Sequence, residues 1–336
     1  MFDAVLLVSF GGPEGPGDVV PFLRNVVRGR DVPAERLEQV AAQYLHFGGV
    51  SPINSLNRDL LRAIRADLAG RGNPLPVYWG NRNWHPFLTD TIRAMRSDGV
   101  RRSAGFVTSA YASYSSCRQY IEDIAAARAA VGPGAPEIVK LRPFFNHPGF
   151  VEPLADGVRA ALQDVGPSAP VWMTAHSIPV AMAGACDYER QLRETGRLVA
   201  GRAGVAPGRW SLMFQSRSGP PGQRWLGPDI HDALAGLGHN TPAVVVAPIG
   251  FVSDHMEVAF DLDRALASAA GARGVRLVRT PTAGTDPRFA AMVGDLIDEA
   301  STPGAPRAAL GTLGPASFPC DAGCCPSARR AAGAGR

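Results

Sequence analysis

The chain has 336 residues, 46% of them apolar, and a formal net charge of +4. At about 100–200 residues per domain, that length allows two domains with a core each. The cations are almost all arginine, Lys140 being the only lysine, and no dense basic block interleaved with aromatics marks a nucleic-acid surface. No run approaches the ~18 apolar residues of a membrane span. The start "MFDAVLLVSFGGPEG" also lacks the basic segment of a secretory signal, so a cytoplasmic protein is expected.

In chain order, the first apolar run is "AVLLVSFGG" (4–12). The "GGPEGP" that follows (11–16) fits neither the dinucleotide nor the Walker phosphate-loop pattern, and its glycines suit a tight turn with a close approach. Arg28 and Arg30 fall in a loop after a helix, where solvated surface competes with ligand binding. "HFGGVSPINSLN" (46–57) is a Gly-rich turn into a helix start at Ser51 and Pro52, a place where free N–H groups bind anions. An amphipathic helix (56–70), a strand run (75–83) and another (103–111) come next. "SAYASYSSCRQY" then gathers Tyr111, Tyr114, Cys117 and Tyr120, with Cys117 and Tyr120 on one face of the helix "CRQYIEDIAAARAAV". After the run 137–145, a joint near 145–153 leads to the second half. Its runs are 169–177, 209–217, 243–251 and 274–282, with the helix "ERQLRETGRLVAGRAG" between the first two and a closing helix over 287–300.

Continuous apolar runs of this kind suit strands buried on both faces, as in parallel sheets. Alternation with helices gives βαβ units and an α/β fold. Four strands in each half predict two similar Rossmann-like lobes, each a four-stranded parallel sheet flanked by helices. The expected divisions are 1–150, 151–300 and a flexible, Gly/Pro/Ala-rich tail over 301–336 that carries cysteines. Ligands of open α/β sheets bind outside the carboxyl ends of the strands. Two lobes facing each other would collect those polar endings around one cleft.

Two residue types stand out there. His176 ends the fifth strand run, where an ionisable ring belongs at a mouth and not in a core. Glu257 follows the seventh. If a helix begins near Asp254, Glu257 and Asp261 lie four apart on one face, and burial would raise at least one carboxyl pKa. A histidine opposite such a pair can bind a divalent ion or move protons. The competing reading is that Asp254 caps the helix and Glu257 completes a capping box. The five cysteines are too few for a disulfide framework in a chain this long, and the spacing of Cys320, Cys324 and Cys325 suggests metal.

"LLVSFGGPE", "GGVSPIN", "TSAYASYSSCRQY", "TAHSIP", "QSRSGPPGQRWLGPD" and "PIGFVSDHMEVAFDLD" occur in order over residues 1 to about 300. Together they resemble the ferrochelatase family, most closely the coproporphyrin III type of Gram-positive and actinobacterial species. The resemblance implies two α/β lobes around a porphyrin, a lyase of haem biosynthesis that inserts Fe²⁺ into coproporphyrin III, and coproheme as product. Residue by residue, the metal-site histidine and its acidic partner fall on His176 and Glu257. The porphyrin-contacting serine falls on Ser51, and the tyrosine facing the metal across the macrocycle on Tyr120. Arg28 and Arg30 match cations near the propionates more loosely. Glu14 stands where some relatives have tyrosine, and Ala265 ends an acidic ladder that others extend. Some members hold a [2Fe-2S] cluster on C-terminal cysteines plus one internal cysteine; four thiolates are needed. Cys320, Cys324 and Cys325 fit that tail, with Cys117, or Cys186, as the fourth.

The alternatives are a protoporphyrin IX ferrochelatase, a chelatase for another divalent metal, and a two-lobed tetrapyrrole-binding protein without catalysis. The expected partners are the porphyrin, Fe²⁺ and the downstream haem-synthesis enzyme, with the protein a monomer.

Overall fold

A computed structural model of the protein describes residues 1–29, 32–219, 222–238, 240–321 and 323–327. Each of the eight apolar runs holds a strand: β1 (Ala4–Ser9), β2 (Val77–Asn81), β3 (Arg102–Val107), β4 (Glu137–Lys140), β5 (Val171–His176), β6 (Trp210–Gln215), β7 (Ala243–Ala247) and β8 (Arg276–Arg279). They form two four-stranded sheets of order β2-β1-β3-β4 and β6-β5-β7-β8. All pairings are parallel. The second order repeats the first strand for strand, as a duplicated lobe requires.

Burial follows position in the sheet. β1 and β7 are buried at every residue, because a central parallel strand has no wet face. β4 and β8 are four residues long and at most half-buried, as outer strands that offer only a short edge. The chain divides into two compact units. One comprises Met1–Thr108, Ile121–Lys140 and Ser253–Met256; the other comprises Ser109–Tyr120, Leu141–Val252 and Glu257–Arg336.

In the first unit, β1 runs into the glycine turn anticipated from "GGPEGP". Gly11 has φ +81°, and a Cβ at Gly12 would lie 2.7 Å from Ser51 Cβ, so the turn and the Ser51 segment pack without room for a side chain. Ser51 is buried, its N–H donates to Pro13 O at 2.9 Å, and the helix Ile53–Gly70 starts directly after Pro52. Phe22, Phe10, Tyr44 and Trp84 form an aromatic cluster under the helices Val19–Val26 and Ala34–His46.

In the second unit, the helices Pro148–Val165 and Pro287–Ser301 meet so closely that a Cβ at Gly149 would sit 2.4 Å from Arg288 O. Phe144, Phe150, Phe289 and Tyr111 fill the space beside them edge to face. Among the described residues the segment after Ser301 has no regular structure, yet residues 310–314 are tied down. Leu310 N donates to Asn146 O (2.8 Å), and Asn146 Nδ2 donates to Leu310 O (3.0 Å) and Gly314 O (2.8 Å). Among the described residues no helix is long and apolar enough to cross a membrane.

His147 caps the helix Pro148–Val165 by accepting from Gly149 N at 3.1 Å. Its imidazole is 3% exposed, with Nε2 lacking a hydrogen-bond partner and 3.7 Å from Asp295. Burial, helped by the Arg142 charge, holds its pKa down at about 4, although Asp295 and Glu299 oppose the shift. The folded value lies below the ordinary value of about 6.5, so the unfolded chain takes up this proton first. Stability from this group is full above pH 6.5 and is lost as pH falls towards 4, by roughly 3 kcal/mol. His147→Asn keeps a capping acceptor and removes the titration. Urea unfolding from pH 6.5 to 4 is expected to show a shallower loss for the variant. Parallel losses in both proteins would refute this assignment.

Candidate active site

In the second sheet β6 is added on one side of β5, and β7 on the other. Ligands of open parallel sheets bind at such a switch point, beyond the carboxyl ends of the strands. His176 is the last residue of β5 and the first in it not fully buried, its side chain 30% exposed. Glu257 follows β7 and immediately precedes a π-helical stretch, Val258–Leu266. Such stretches are rare and frequent at functional sites. Val258, Leu262 and Leu266 are fully buried against Trp172, Val244 and Val246. Glu257 and Asp261 each precede a member of that stripe by one residue, so packing of the stripe fixes both carboxylates.

His176 Nδ1 and Glu257 Oε2 are 3.0 Å apart. A carboxylate only accepts, so the proton is on Nδ1 and the lone pair is on Nε2. Glu257 is itself the residue before the π-helical stretch and does not cap it through its side chain; its Oε2 is engaged by His176. Burial opposes charging of His176. The Glu257 charge, the hydrogen bond and the Asp261 charge together outweigh it, and the imidazole pKa is raised. Asp261 also has a raised pKa, chiefly from burial with the Glu257 charge adding to it, while the hydrogen bond from Ser216 opposes the shift. The arrangement is an imidazole with one nitrogen held by a carboxylate and the other available as a base, with a second carboxylate nearby.

Three supports were not apparent in the sequence. Ser216 has φ +61°, a left-handed backbone that aims its hydroxyl at Asp261 Oδ2. Gln215 Nε2 donates to Glu257 O at 3.3 Å, and Tyr188 OH donates to His176 O at 3.0 Å. The polar ending "QSR" after β6 was the only signal for the first two.

The other expected site residues are distributed as follows. Ser51 lies in the first unit, buried beside Gly12. Arg28 is exposed after the helix Val19–Val26, its guanidinium on Asn25 Oδ1 at 2.5 Å. Arg30 lies outside the described residues. Glu14 pairs with Arg58 at 2.6 Å. Tyr120 is 5% exposed, in the first turn of the helix Gln119–Val131, and Cys117 is buried in the preceding π-turn Tyr114–Arg118.

Among the described residues no cysteine is in a disulfide. Burial pushes the Cys325 thiol up to about 12, and the nearby Cys117, Cys324 and Cys186 thiols push in the same direction. Cys325 is thus the tail cysteine electrostatically coupled to both internal candidates. Cys320 contacts Ser317 O. Among the described residues no three His, Cys, Asp or Glu side chains are grouped to hold a metal ion.

The fold is chelatase-like. A sirohydrochlorin chelatase from Bacillus subtilis, solved with cobalt, superposes with TM-score 0.51 at 13% identity, covering 90% of this chain and 97% of its own. A multi-domain protein of Deinococcus radiodurans described as similar to chelatases gives 0.54 at 15%, covering 89% of this chain and 56% of its own. The family model described as Ferrochelatase matches residues 2–301, and the chain belongs to the ferrochelatase family. Its relatives include the Ferrochelatase of Rhodopirellula baltica, 51% identical over 96% of this chain and 93% of that protein. The Coproporphyrin III ferrochelatase of Mycobacterium avium is 56% identical over 89% and 88%, and that of Streptomyces griseus 52% over 97% and 94%.

Proposed function

We propose that this protein inserts Fe²⁺ into coproporphyrin III to give coproheme in haem biosynthesis. The observation that carries the reading is the His176–Glu257 hydrogen bond at the switch point of the second sheet. Membership of the ferrochelatase family and the printed names of the actinobacterial relatives support the substrate.

Metal insertion must remove two pyrrole protons and admit the ion from one face. His176 Nε2 takes one proton. The resulting imidazolium is stabilised through Nδ1 by Glu257 and by the charge of Asp261, the groups that raise its pKa. Glu257 keeps the imidazole in the base-competent tautomer and offers a second oxygen to the iron or to the other proton. We assign Tyr120 to the opposite side of the macrocycle, and Ser51, Arg28 and Arg30 to its periphery. Arginine's planar fork suits propionate carboxylates. We assign the protein to the cytoplasm.

The test is anaerobic Fe²⁺ with coproporphyrin III and, separately, protoporphyrin IX, followed by absorbance. Faster metallation of coproporphyrin is expected; equal or faster use of protoporphyrin IX would overturn the substrate assignment, and binding without turnover would overturn the enzyme. Tyr120→Phe is expected to shift the absorption spectrum of bound iron porphyrin, and an unchanged spectrum would remove Tyr120 from the metal's axis.

The cysteines carry a separate reading. Cys320, Cys324 and Cys325 with Cys117, or Cys186, would hold a [2Fe-2S] cluster; the electrostatic coupling of Cys325 to Cys117, Cys186 and Cys324 supports this reading, although among the described residues no three such side chains are grouped as a metal site. Each thiol must ionise to bind iron, and burial of Cys325 opposes that ionisation. Amber purified protein with iron and labile sulfide supports the cluster; colourless protein purified anaerobically would exclude it.

A further inference from the structure

The geometry points to Tyr188 as a positioning residue for chelation: its hydroxyl fixes the main-chain end of β5 from which His176 projects. This inference rests on the chelation proposed at His176.

β5 outruns its neighbour. The β5–β7 register ends at Met173↔Ala247, with one further bond from Gly250 N to Thr174 O at 2.9 Å. That last approach is close: a Cβ at Gly250 would sit 2.6 Å from Ala175 Cα. Two residues beyond Thr174, the His176 carbonyl has passed the end of β7, and a part-buried carbonyl without a strand partner on that side calls for another donor. Tyr188 OH supplies it at 3.0 Å from the first turn of the helix Tyr188–Ala203.

The phenol is itself held. Tyr188 is 4% exposed, and its ring lies edge to face with Tyr111, centroids 6.0 Å apart at 82°. Tyr111 is 1% exposed and donates to Ile249 O at 2.8 Å, on the turn that leads from β7 towards Glu257. The two tyrosines therefore brace both chain segments that deliver the His176–Glu257 pair. Each hydroxyl donates to a main-chain carbonyl, so the role is positional. Burial keeps the Tyr188 hydroxyl protonated and a donor, its pKa raised well above the ordinary tyrosine range.

Tyr188→Phe keeps the ring and deletes the bond. With coproporphyrin III and Fe²⁺, kcat is expected to fall about ten-fold or more, since a misplacement of about 1 Å costs up to 10²-fold. KM for porphyrin should change less than about two-fold, because the porphyrin's contacts are not touched. Ser103→Ala is the control: it deletes an equally buried bond, Ser103 Oγ to Ala4 O at 3.0 Å, in the other unit, and should leave kcat unchanged. Thermal melts of all three proteins measure the folded fraction. Wild-type protein that turns over neither coproporphyrin nor protoporphyrin would overturn both this inference and the proposed function. Wild-type turnover with an unchanged kcat in Tyr188→Phe would overturn the positioning role alone. So would a loss confined to KM, or one matched by the fall in folded fraction.

Discussion

Replacing His176 with alanine is expected to lower iron insertion by on the order of 10²–10⁴-fold, the usual weight of a positioned acid–base group, with the fold retained. The side chain is 30% exposed and makes its hydrogen bond to Glu257, itself 47% exposed, so its loss leaves no sealed cavity. The backbone at 176 is held independently by pairing with Gln215 and by the Tyr188 hydroxyl. Anaerobic metallation rates alongside circular dichroism and a thermal melt separate chemistry from folding. His176→Ala with a rate within a few-fold of wild type would end the assignment of Nε2 as base. Glu257→Gln should be milder for the same geometric reason. The amide oxygen can still accept from Nδ1, but the charge that raises the imidazole pKa is gone.

The legible part of this site was legible for a physical cause. His176 is polar where five consecutive residues of β5 are buried, and a ring in that place has to face an opening. Glu257 and Asp261 could be read as one face at four-residue spacing. The sequence could not decide between a cap and a ligand role for Glu257, because that choice depends on a partner 81 positions away. The π-helical geometry of Val258–Leu266 leaves no compositional mark either, since its stripe Val258, Leu262, Leu266 reads equally well as α-helix. Ser216 was hidden because a left-handed backbone at serine is a local exception held by its bond to Asp261. Tyr188 was hidden because a buried tyrosine at a helix start looks like core until its hydroxyl is traced to the carbonyl it serves. The strands fared better because a central parallel strand must be apolar along its whole length, while the runs at 137–145 and 274–282 shrink to four-residue edges.

The tail shows the opposite lesson, that composition without periodicity does not mean a segment is unattached. Arg142 and Glu299 are 2% and 6% exposed and form a two-handed pair, Nε to Oε2 and Nη2 to Oε1, both at 2.7 Å. Arg142 Nη2 also donates to Ala308 O at 2.8 Å, and Ala308 N donates to Glu299 Oε1 at 3.2 Å. The pair therefore joins the chain two residues beyond β4 and the closing helix to the segment that follows that helix. A buried pair is strongly destabilising to break, about 3–5 kcal/mol; without Arg142 the Glu299 carboxylate keeps only Ala308 N at 3.2 Å and the more distant Arg307 Nε at 4.0 Å. Arg142→Ala is thus expected to lower the melting temperature by roughly 10 °C or more, at about 2–4 °C per kcal/mol for a unit of this size. The double variant Arg142→Met with Glu299→Leu should recover much of that loss, because it removes both charges and keeps the volume. Recovery should be incomplete, since the N–H and carbonyl of Ala308 lose their partners. If Arg142→Ala melts within about 2 °C of wild type, the pair holds nothing that the aromatic packing of Phe144, Phe150 and Phe289 does not already hold. If the double variant is no better than Arg142→Ala, the cost lies in the lost Ala308 bonds and not in the charge left on Glu299.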